Sequence, residues 1–461
     1  MKAQKRLFGT DGIRGVANRD LTCEMAFGLG ATAVRMLGPT LVIGRDTRIS
    51  GSMLEAALIA GITSRGGTAL LAGVIPTPAV AFLVKDLGAD GGIVISASHN
   101  PPEYNGLKIF DNEGYKLSSV QEVQLEEGIR LVMQQGASAD ATSNESEALP
   151  EGKDIGQSQL IPDAHERYIN HAVGILTKEQ VRLDTIRIAV DCGNGAAHYT
   201  TPETLRRLGA EVLAINDGGN GAIINVDSGS SDLEQLIELV KSNGACLGIA
   251  HDGDADRVIA VSNKGRELDG DYIEAICALD RKATRGVPNN TLVSTVMCNI
   301  GFMQAMQEAG LNVVQTAVGD ANVLAAMRKG GHVIGGEQSG HMIFIEHNPT
   351  GDGLATALML LAALQRSGSS LDDLAERTMK KYPQVLINVS VRDKSQLDNC
   401  EAIATAVTQA EAELLSRGGG RVLLRASGTE PLVRVMVEAA KKDIAQSVAE
   451  SLVSIVESEL A

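Results

Sequence analysis

The sequence predicts an α/β protein: three similar mixed α/β domains followed by a smaller α+β C-terminal domain, set around a central cleft. Three observations predict it. An aliphatic strand running into a polar loop occurs three times, followed each time, about 40 to 60 residues on, by a Gly-flanked short strand ending in a second polar loop. Glycine reaches 50 of 461 residues while aromatics make 3% and Trp is absent, which suits many short loops between aliphatic strands and helices. The C-terminal segment breaks this pattern and alternates short strands with two helices.

The elements follow in chain order. In the first domain, residues 1–155, the opening strand and loop read Leu41-Val42-Ile43-Gly44-Arg45-Asp46-Thr47-Arg48, and the second part is the apolar run 92–95 ending in a loop at 96–100. In the second, residues 156–257, strand 186–190 leads into Asp191-Cys192-Gly193-Asn194-Gly195, and the second loop is 252–257. In the third, residues 258–370, strand 292–296 leads into Met297-Cys298-Asn299-Ile300-Gly301, and the second loop is 337–341. The fourth, residues 371–461, holds strands at 386–391, 421–425 and 432–438 and helices at 398–416 and 444–457. The junctions are read from composition: residues 134–159 carry few large apolar side chains, the acidic loop ending at Arg257 gives way to a new strand at 258–261, and Ser367-Gly368-Ser369-Ser370 reads as a hinge. Ligands of open α/β sheets bind beyond the carboxyl ends of strands, so loops at corresponding places converge on one cleft.

A formal net charge of −16 argues against nucleic acid or an anionic membrane surface as partner. A phosphorylated small molecule stays admissible, because salt screens exposed charge over about 8 Å and a local Arg/Lys cluster then decides. The six cysteines are scattered without C-x-x-C spacing, so neither a disulfide framework nor a zinc ribbon is expected. The N-terminus reaches Gly-Thr-Asp-Gly before any apolar run, and the most apolar segment, 354–364, is too short to span a bilayer. A cytoplasmic enzyme is the expectation.

Ile95-Ser96-Ala97-Ser98-His99-Asn100-Pro101 places a candidate nucleophile at a strand end, with Lys108 ten positions on as a candidate acid/base. A Ser-His pair on a turn is also an ordinary helix start. His251-Asp252-Gly253-Asp254-Ala255-Asp256-Arg257 sets three carboxylates at alternate positions, on one side of an extended loop. Oxygen-only ligands indicate a hard cation, Mg²⁺ or Mn²⁺. An EF-hand needs Gly and Glu where this chain has Arg257 and Asn263. Gly335-Gly336-Glu337-Gln338-Ser339-Gly340-His341 offers a carboxylate, a hydroxyl and an imidazole suited to sugar hydroxyls, although it lacks the G-x-S-x-G order of a nucleophile elbow. Arg425-Ala426-Ser427-Gly428-Thr429-Glu430-Pro431 with Arg434 supplies guanidiniums, hydroxyls and backbone N–H groups able to grip a phosphate. Gly9-Thr10-Asp11-Gly12-Ile13-Arg14-Gly15 adds an arginine in a Gly-rich loop, and no G-x-x-x-x-G-K-[ST] occurs.

These five stretches in this order resemble the α-D-phosphohexomutase superfamily over essentially the whole chain, and within it the phosphoglucosamine mutases, since relatives acting on mannose or glucose phosphates more often carry Met in place of Gln338. The resemblance implies phosphorylation of Ser98, with its phosphate and Asp252, Asp254 and Asp256 holding one Mg²⁺ per subunit. Lys108, His99, Arg14 and Arg257 would manage protons and charge. Glu337, Ser339 and His341 would meet the sugar, while Arg425, Ser427, Gly428, Thr429 and Arg434 would hold the non-reacting phosphate. The implied reaction interconverts glucosamine 6-phosphate and glucosamine 1-phosphate through glucosamine 1,6-bisphosphate, which acts as intermediate and activator. A hexosamine phosphate is then the partner, with neither nucleic acid nor membrane, and a homodimer is compatible. The chain departs from the family pattern at Val318-Gly319-Asp320-Ala321-Asn322-Val323, where Ala321 and Asn322 replace the usual Arg-Tyr. Other readings stay open from sequence: a phosphomannomutase or phosphoglucomutase of the same mechanism, a non-catalytic sugar-phosphate sensor, and a Mg²⁺-dependent phosphatase.

Overall fold

The computed structural model describes residues 6–9, 11–135, 149–427 and 431–460. It divides into two compact units, residues 1–296 with 312–375, and residues 297–311 with 376–461.

The first unit holds three sheets built on one plan. In each, the aliphatic strand expected from sequence pairs in parallel with a strand on either side: Thr40–Arg45 with Thr68–Val74 and Gly91–Ile95, Arg187–Asp191 with Glu211–Ile215 and Leu247–His251, and Thr291–Thr295 with Asn312–Thr316 and Ile334–Gly336. The last-named strand of each set then pairs antiparallel with the strand after it: Tyr104–Asp111, Val258–Ser262 and Met342–Phe344. The loops 96–103, 252–257 and 337–341 are therefore the same connection in three sheets, each leaving the carboxyl end of a parallel strand. Strands buried on both faces read as continuous aliphatic runs, which is why these were legible.

Two expected breaks cut through sheets. Val258–Ser262 does not open the third sheet; it returns along Leu247–His251, with Val258 opposite His251, and Glu267–Leu268 extends the second sheet further. The break placed at residue 155 falls short of Gln157–Leu160, which forms the parallel edge of the first sheet beside Thr68–Val74. All four of its residues are exposed, so no hydrophobic alternation announces it. Of the junction 134–159, residues 136–148 lie outside the described residues.

The apolar segment 354–364 lies in the helix Gly353–Ser367, capped by Asp352 and buried at every position from Gly353 to Leu364. The expected hinge at 367–370 lies before the division between units, which falls after Ala375. Helix Leu371–Thr378 begins anchored to the first unit: Leu371 is buried and Asp372 pairs with Lys264 at 2.9 Å and Arg266 at 3.0 Å.

In the second unit the antiparallel strands Gln384–Ser390, Leu432–Ala439 and Gly420–Ala426 form one sheet carrying helices Glu401–Ser416 and Lys442–Leu460. Val433, Val435 and Val437 point at alternate positions into its core, with Val448, Leu452 and Val456 of the last helix at helical spacing.

Candidate active site

Strand Gly91–Ile95 is buried throughout and delivers Ser98 to its end. Ser98 is held with φ at 52°, a region that non-glycine residues adopt rarely. Its N–H donates to Ser96 Oγ at 2.9 Å, and its Oγ donates to Asp252 Oδ2 at 2.5 Å. Gly253 permits this approach, since a Cβ there would lie 2.7 Å from the Ser98 carbonyl oxygen.

Asp252, Asp254 and Asp256 each bring a carboxylate oxygen within 4.8 Å of the others. They converge through a tight turn, with Ala255 N–H donating to the Asp252 carbonyl at 3.1 Å and Ala255 φ at 56°, and not through the extended alternation expected from sequence. All three are buried, and Oδ1 of both Asp254 and Asp256 has no hydrogen-bond partner. Burial, with the charges of Asp256 and Asp254, pushes the Asp252 carboxyl up to about 8. Burial also works to raise Asp256, but Lys108, His341 and Arg257 hold it well below the usual range. Buried carboxylate oxygens with no donor, on three carboxylates set against one another, fit a divalent cation.

Lys108 lies on Tyr104–Asp111 opposite Val94 and is 1% exposed. Its Nζ is 2.8 Å from Asp254 Oδ2, 2.9 Å from Asp256 Oδ2 and 3.1 Å from Asp11 Oδ2. Burial opposes its charge, yet these carboxylates outweigh burial and hold the amine protonated, well above its usual range. His99 Nδ1 lies 3.4 Å from Ser98 Oγ and 3.2 Å from Arg257 Nη1. Burial, then the Arg257 and Arg14 charges, depress this imidazole to about 4, so it is neutral at physiological pH. An unprotonated Nδ1 is the state able to face the arginine. Arg14, on Ile13–Val16, reaches Asn100 Oδ1 at 3.4 Å and contacts Asp11.

From the third sheet, His341 sits with Nδ1 3.7 Å from Asp256 Oδ2 and Nε2 3.7 Å from Asp320 Oδ2, and Arg257 and His341 form a β-bridge. Burial disfavours the imidazolium, but Asp256 and Asp320 raise its pKa above the usual value. Glu337 Oε1 accepts the Gly319 N–H at 2.9 Å, and Ser339 is exposed. Gln338 Nε2 donates to Asp271 Oδ2 at 3.2 Å. Ala321 and Asn322 are both exposed at the start of helix Asp320–Gly330, and Asn322 Nδ2 returns to the Val318 carbonyl at 3.0 Å, so the loop closes without the usual Arg-Tyr.

In the second unit Arg425 and Arg434 stand directly opposite across the hairpin, and the Nε of each is buried without a partner. Burial, then the Arg434 charge, lowers the Arg425 pKa. Ser427 is buried, and Lys394 Nζ donates to its carbonyl. Gly428 and Thr429 lie outside the described residues.

The first unit thus brings together Arg14, Ser98, His99, Lys108, the three aspartates, Arg257 and His341. Sequence reasoning gave no role to Asp11, Lys116 or Asp320, although Lys116 contacts both carboxylates and Asp11 lies inside the quoted Gly-Thr-Asp-Gly motif. Thr77, whose Oγ1 donates to Asp254 Oδ2 at 2.5 Å, carries no motif at all.

Comparison with known proteins matches the chain along its length. Phosphoglucomutase/phosphomannomutase alpha/beta/alpha domains I, II and III match residues 5–135, 166–265 and 269–382, and the C-terminal domain of the same family matches 386–455. A phosphoglucosamine mutase of Thermobifida fusca (strain YX) is 48% identical over 463 residues, covering 99% of each chain. The fold is that of a phosphoglucomutase/phosphomannomutase family protein from Burkholderia thailandensis, with TM-score 0.77, 23% identity and 97% of each chain covered. It is also that of an Aspergillus fumigatus N-acetylphosphoglucosamine mutase solved with GlcNAc-6P and magnesium, with TM-score 0.68, 17% identity and 98% and 95% of the two chains covered. With its serine loop, its aspartate loop and the loop 337–341 at one repeated position in three sheets and all four domain types matched in order, the chain belongs to the phosphoglucomutase/phosphomannomutase family.

Proposed function

We propose that the chain interconverts glucosamine 6-phosphate and glucosamine 1-phosphate through phosphorylated Ser98 and a glucosamine 1,6-bisphosphate. The observation that carries this reading is Ser98 Oγ at 2.5 Å from Asp252 Oδ2 within a triad of buried carboxylates, and the full-length identity to a phosphoglucosamine mutase supports the sugar. Mg²⁺ held by Asp252, Asp254 and Asp256 would supply positive charge to the phosphoryl oxygens and compete with Lys108 for two of those carboxylates.

In the first transfer the bond from phosphorus to Ser98 Oγ breaks as one to the sugar 1-oxygen forms. In the second, the bond to the 6-oxygen breaks and the phosphoryl group returns to Ser98. The proton released by the 1-hydroxyl is taken up at the 6-oxygen, so the cycle is neutral in protons. We assign Lys108 to carry it, as an amine that would lose its hold on its own proton once Asp254 and Asp256 turn to a bound cation, and would then take the proton of the 1-hydroxyl and return it at the 6-oxygen. Arg14 and Arg257, which reach Asn100 and His99 in the Ser98 loop, are cations that favour transferred phosphoryl charge. Glu337 and Ser339 orient sugar hydroxyls, with His341 holding their loop to Asp256 and Asp320. Arg425, Ser427, Gly428, Thr429 and Arg434 grip the phosphate not in transfer. Among the described residues no helix is long and apolar enough to cross a membrane.

Peptide mass mapping of active protein tests the reading, with phosphate expected on Ser98. Ser98→Ala is expected to abolish turnover while leaving substrate binding. Rates on glucosamine, glucose and mannose 6-phosphates are expected to favour the amino sugar. Phosphate on Ser96, or on no residue of this loop, would overturn the assignment.

A further inference from the structure

The loop after strand Thr40–Arg45 carries one of the recurring polar motifs, Arg45-Asp46-Thr47-Arg48, and the proposed chemistry leaves it unused. Arg48 is 1% exposed and points inward. Its Nη2 donates to the Ser98 carbonyl at 2.9 Å and the Asn100 carbonyl at 2.7 Å. Its Nη1 donates to the Tyr104 carbonyl at 3.0 Å and also reaches the Pro101 carbonyl. Its Nε donates to Asp46 Oδ2 at 2.9 Å. That same oxygen accepts Ser96 Oγ at 2.6 Å, and Ser96 Oγ in turn accepts the Ser98 N–H at 2.9 Å. From the second sheet's side, Asn225 Nδ2 gives a second donor to the carbonyls of Ser98 at 2.8 Å and Asn100 at 3.2 Å. Thr47 Oγ1 ties the motif to the Asn194 carbonyl at 2.6 Å, inside the corresponding loop of that sheet.

We infer that Arg48, with Asp46 and Asn225, is the device that positions the nucleophile, an inference that rests on Ser98 being the phosphorylated residue. The physical case is one of geometry and charge. Four carbonyls from the loop 98–104 converge on one buried guanidinium, and Asp46 neutralises it, so the cation, the carboxylate and the loop hold one another in place. The peptide after Ser98 is planar, so turning its carbonyl toward Arg48 and Asn225 turns the His99 N–H the opposite way. Ser98 is thereby kept in its left-handed conformation, and its Oγ faces Asp252. A guanidinium suits the task because its donors form a rigid planar fork, whereas a lysine ammonium is a point charge on a flexible stem. Arg48 acts through the backbone of the loop and is a positioning residue.

The full-length Arg48→Lys and Asn225→Ala proteins test this beside wild type. Steady-state kcat and KM for glucosamine 6-phosphate are measured, with the rate at which glucose 1,6-bisphosphate loads phosphate onto Ser98 followed by intact mass. Misplacement of the nucleophile is expected to lower kcat about 100-fold in Arg48→Lys and about tenfold in Asn225→Ala, with KM within about threefold of wild type. The loading rate is expected to fall in step. Wild-type kcat and loading in Arg48→Lys would show that only a positive charge is needed there, and a raised KM with unchanged kcat would move the role to substrate binding; either overturns the inference. Should Arg48→Lys not fold, Asn225→Ala decides alone, and wild-type kcat and loading in it overturn the proposal. Phosphate missing from Ser98 in active wild type would overturn the proposed function itself, which separates the two failures.

Discussion

Among the three clustered aspartates the protein sorts charge by neighbour: Asp256 faces Lys108, His341 and Arg257 and stays ionised, while Asp252, buried against two carboxylates, is pushed up to about 8. A divalent cation would resolve this conflict by giving all three a common partner. Asp254→Asn is expected to raise the Mg²⁺ concentration needed for saturation and to lower turnover, read by titrating Mg²⁺ into chelator-treated enzyme; full activity in excess chelator would exclude a metal-dependent reaction. A second buried carboxyl lies on helix Gly270–Thr284. Burial, then the Asp271 charge, holds Glu274 well above the usual carboxylate range. A carboxyl whose folded pKa is raised contributes stability that is complete below its unfolded pKa and is lost as pH rises through the folded one. Glu274→Gln removes that titration, so its melting temperature is expected to gain on wild type as pH rises, and a pH-independent difference would refute the assignment. Of the site residues, those inside motifs were legible from sequence: Ser98, Lys108, the aspartates and Arg257. Lys116 and Thr77 were not, because each is defined only by a carboxylate far away along the chain.

At the scale of elements, register decides what a hairpin can do. Arg425 and Arg434 face each other across Gly420–Ala426 and Leu432–Ala439, and like charges directly opposite destabilise a sheet. Such a pair is tolerable where an anion arrives to share it. A charge-assisted hydrogen bond is worth about 1.5 to 3 kcal/mol, so Arg425→Ala is expected to raise KM about ten- to hundredfold. Its melting temperature without ligand is expected to hold or rise. Unchanged KM would place the phosphate grip elsewhere. The same logic of register explains two misread boundaries. Val258–Ser262 is as apolar as any strand that opens a domain, and only its antiparallel return along Leu247–His251 shows that it closes one. Gln157–Leu160 is polar and exposed, so backbone pairing with Thr68–Val74 alone makes it a strand.

At the scale of the whole molecule the two units carry separate cores: the first has distinct apolar clusters on its three parallel-centred sheets, and the second has one on the C-terminal sheet. Urea denaturation is therefore expected to show two transitions, the smaller reporting the unit containing 376–461, and one coincident transition by tryptic susceptibility and circular dichroism would show that they unfold together. Sequence by itself determined the α/β class, the threefold repeat and the chemical character of the motif-bearing loops, because aliphatic runs and clusters of charged or Gly-flanked residues are local properties of the chain. Tertiary structure alone decided which strands pair across each sheet, that the aspartates converge through a turn, that helix Ile300–Glu308 belongs with the C-terminal unit, and that Arg48 grips the Ser98 loop. The reason is physical: pairing partners, burial and the charges that set a pKa are supplied by residues distant in sequence, and they exist only once the chain has folded.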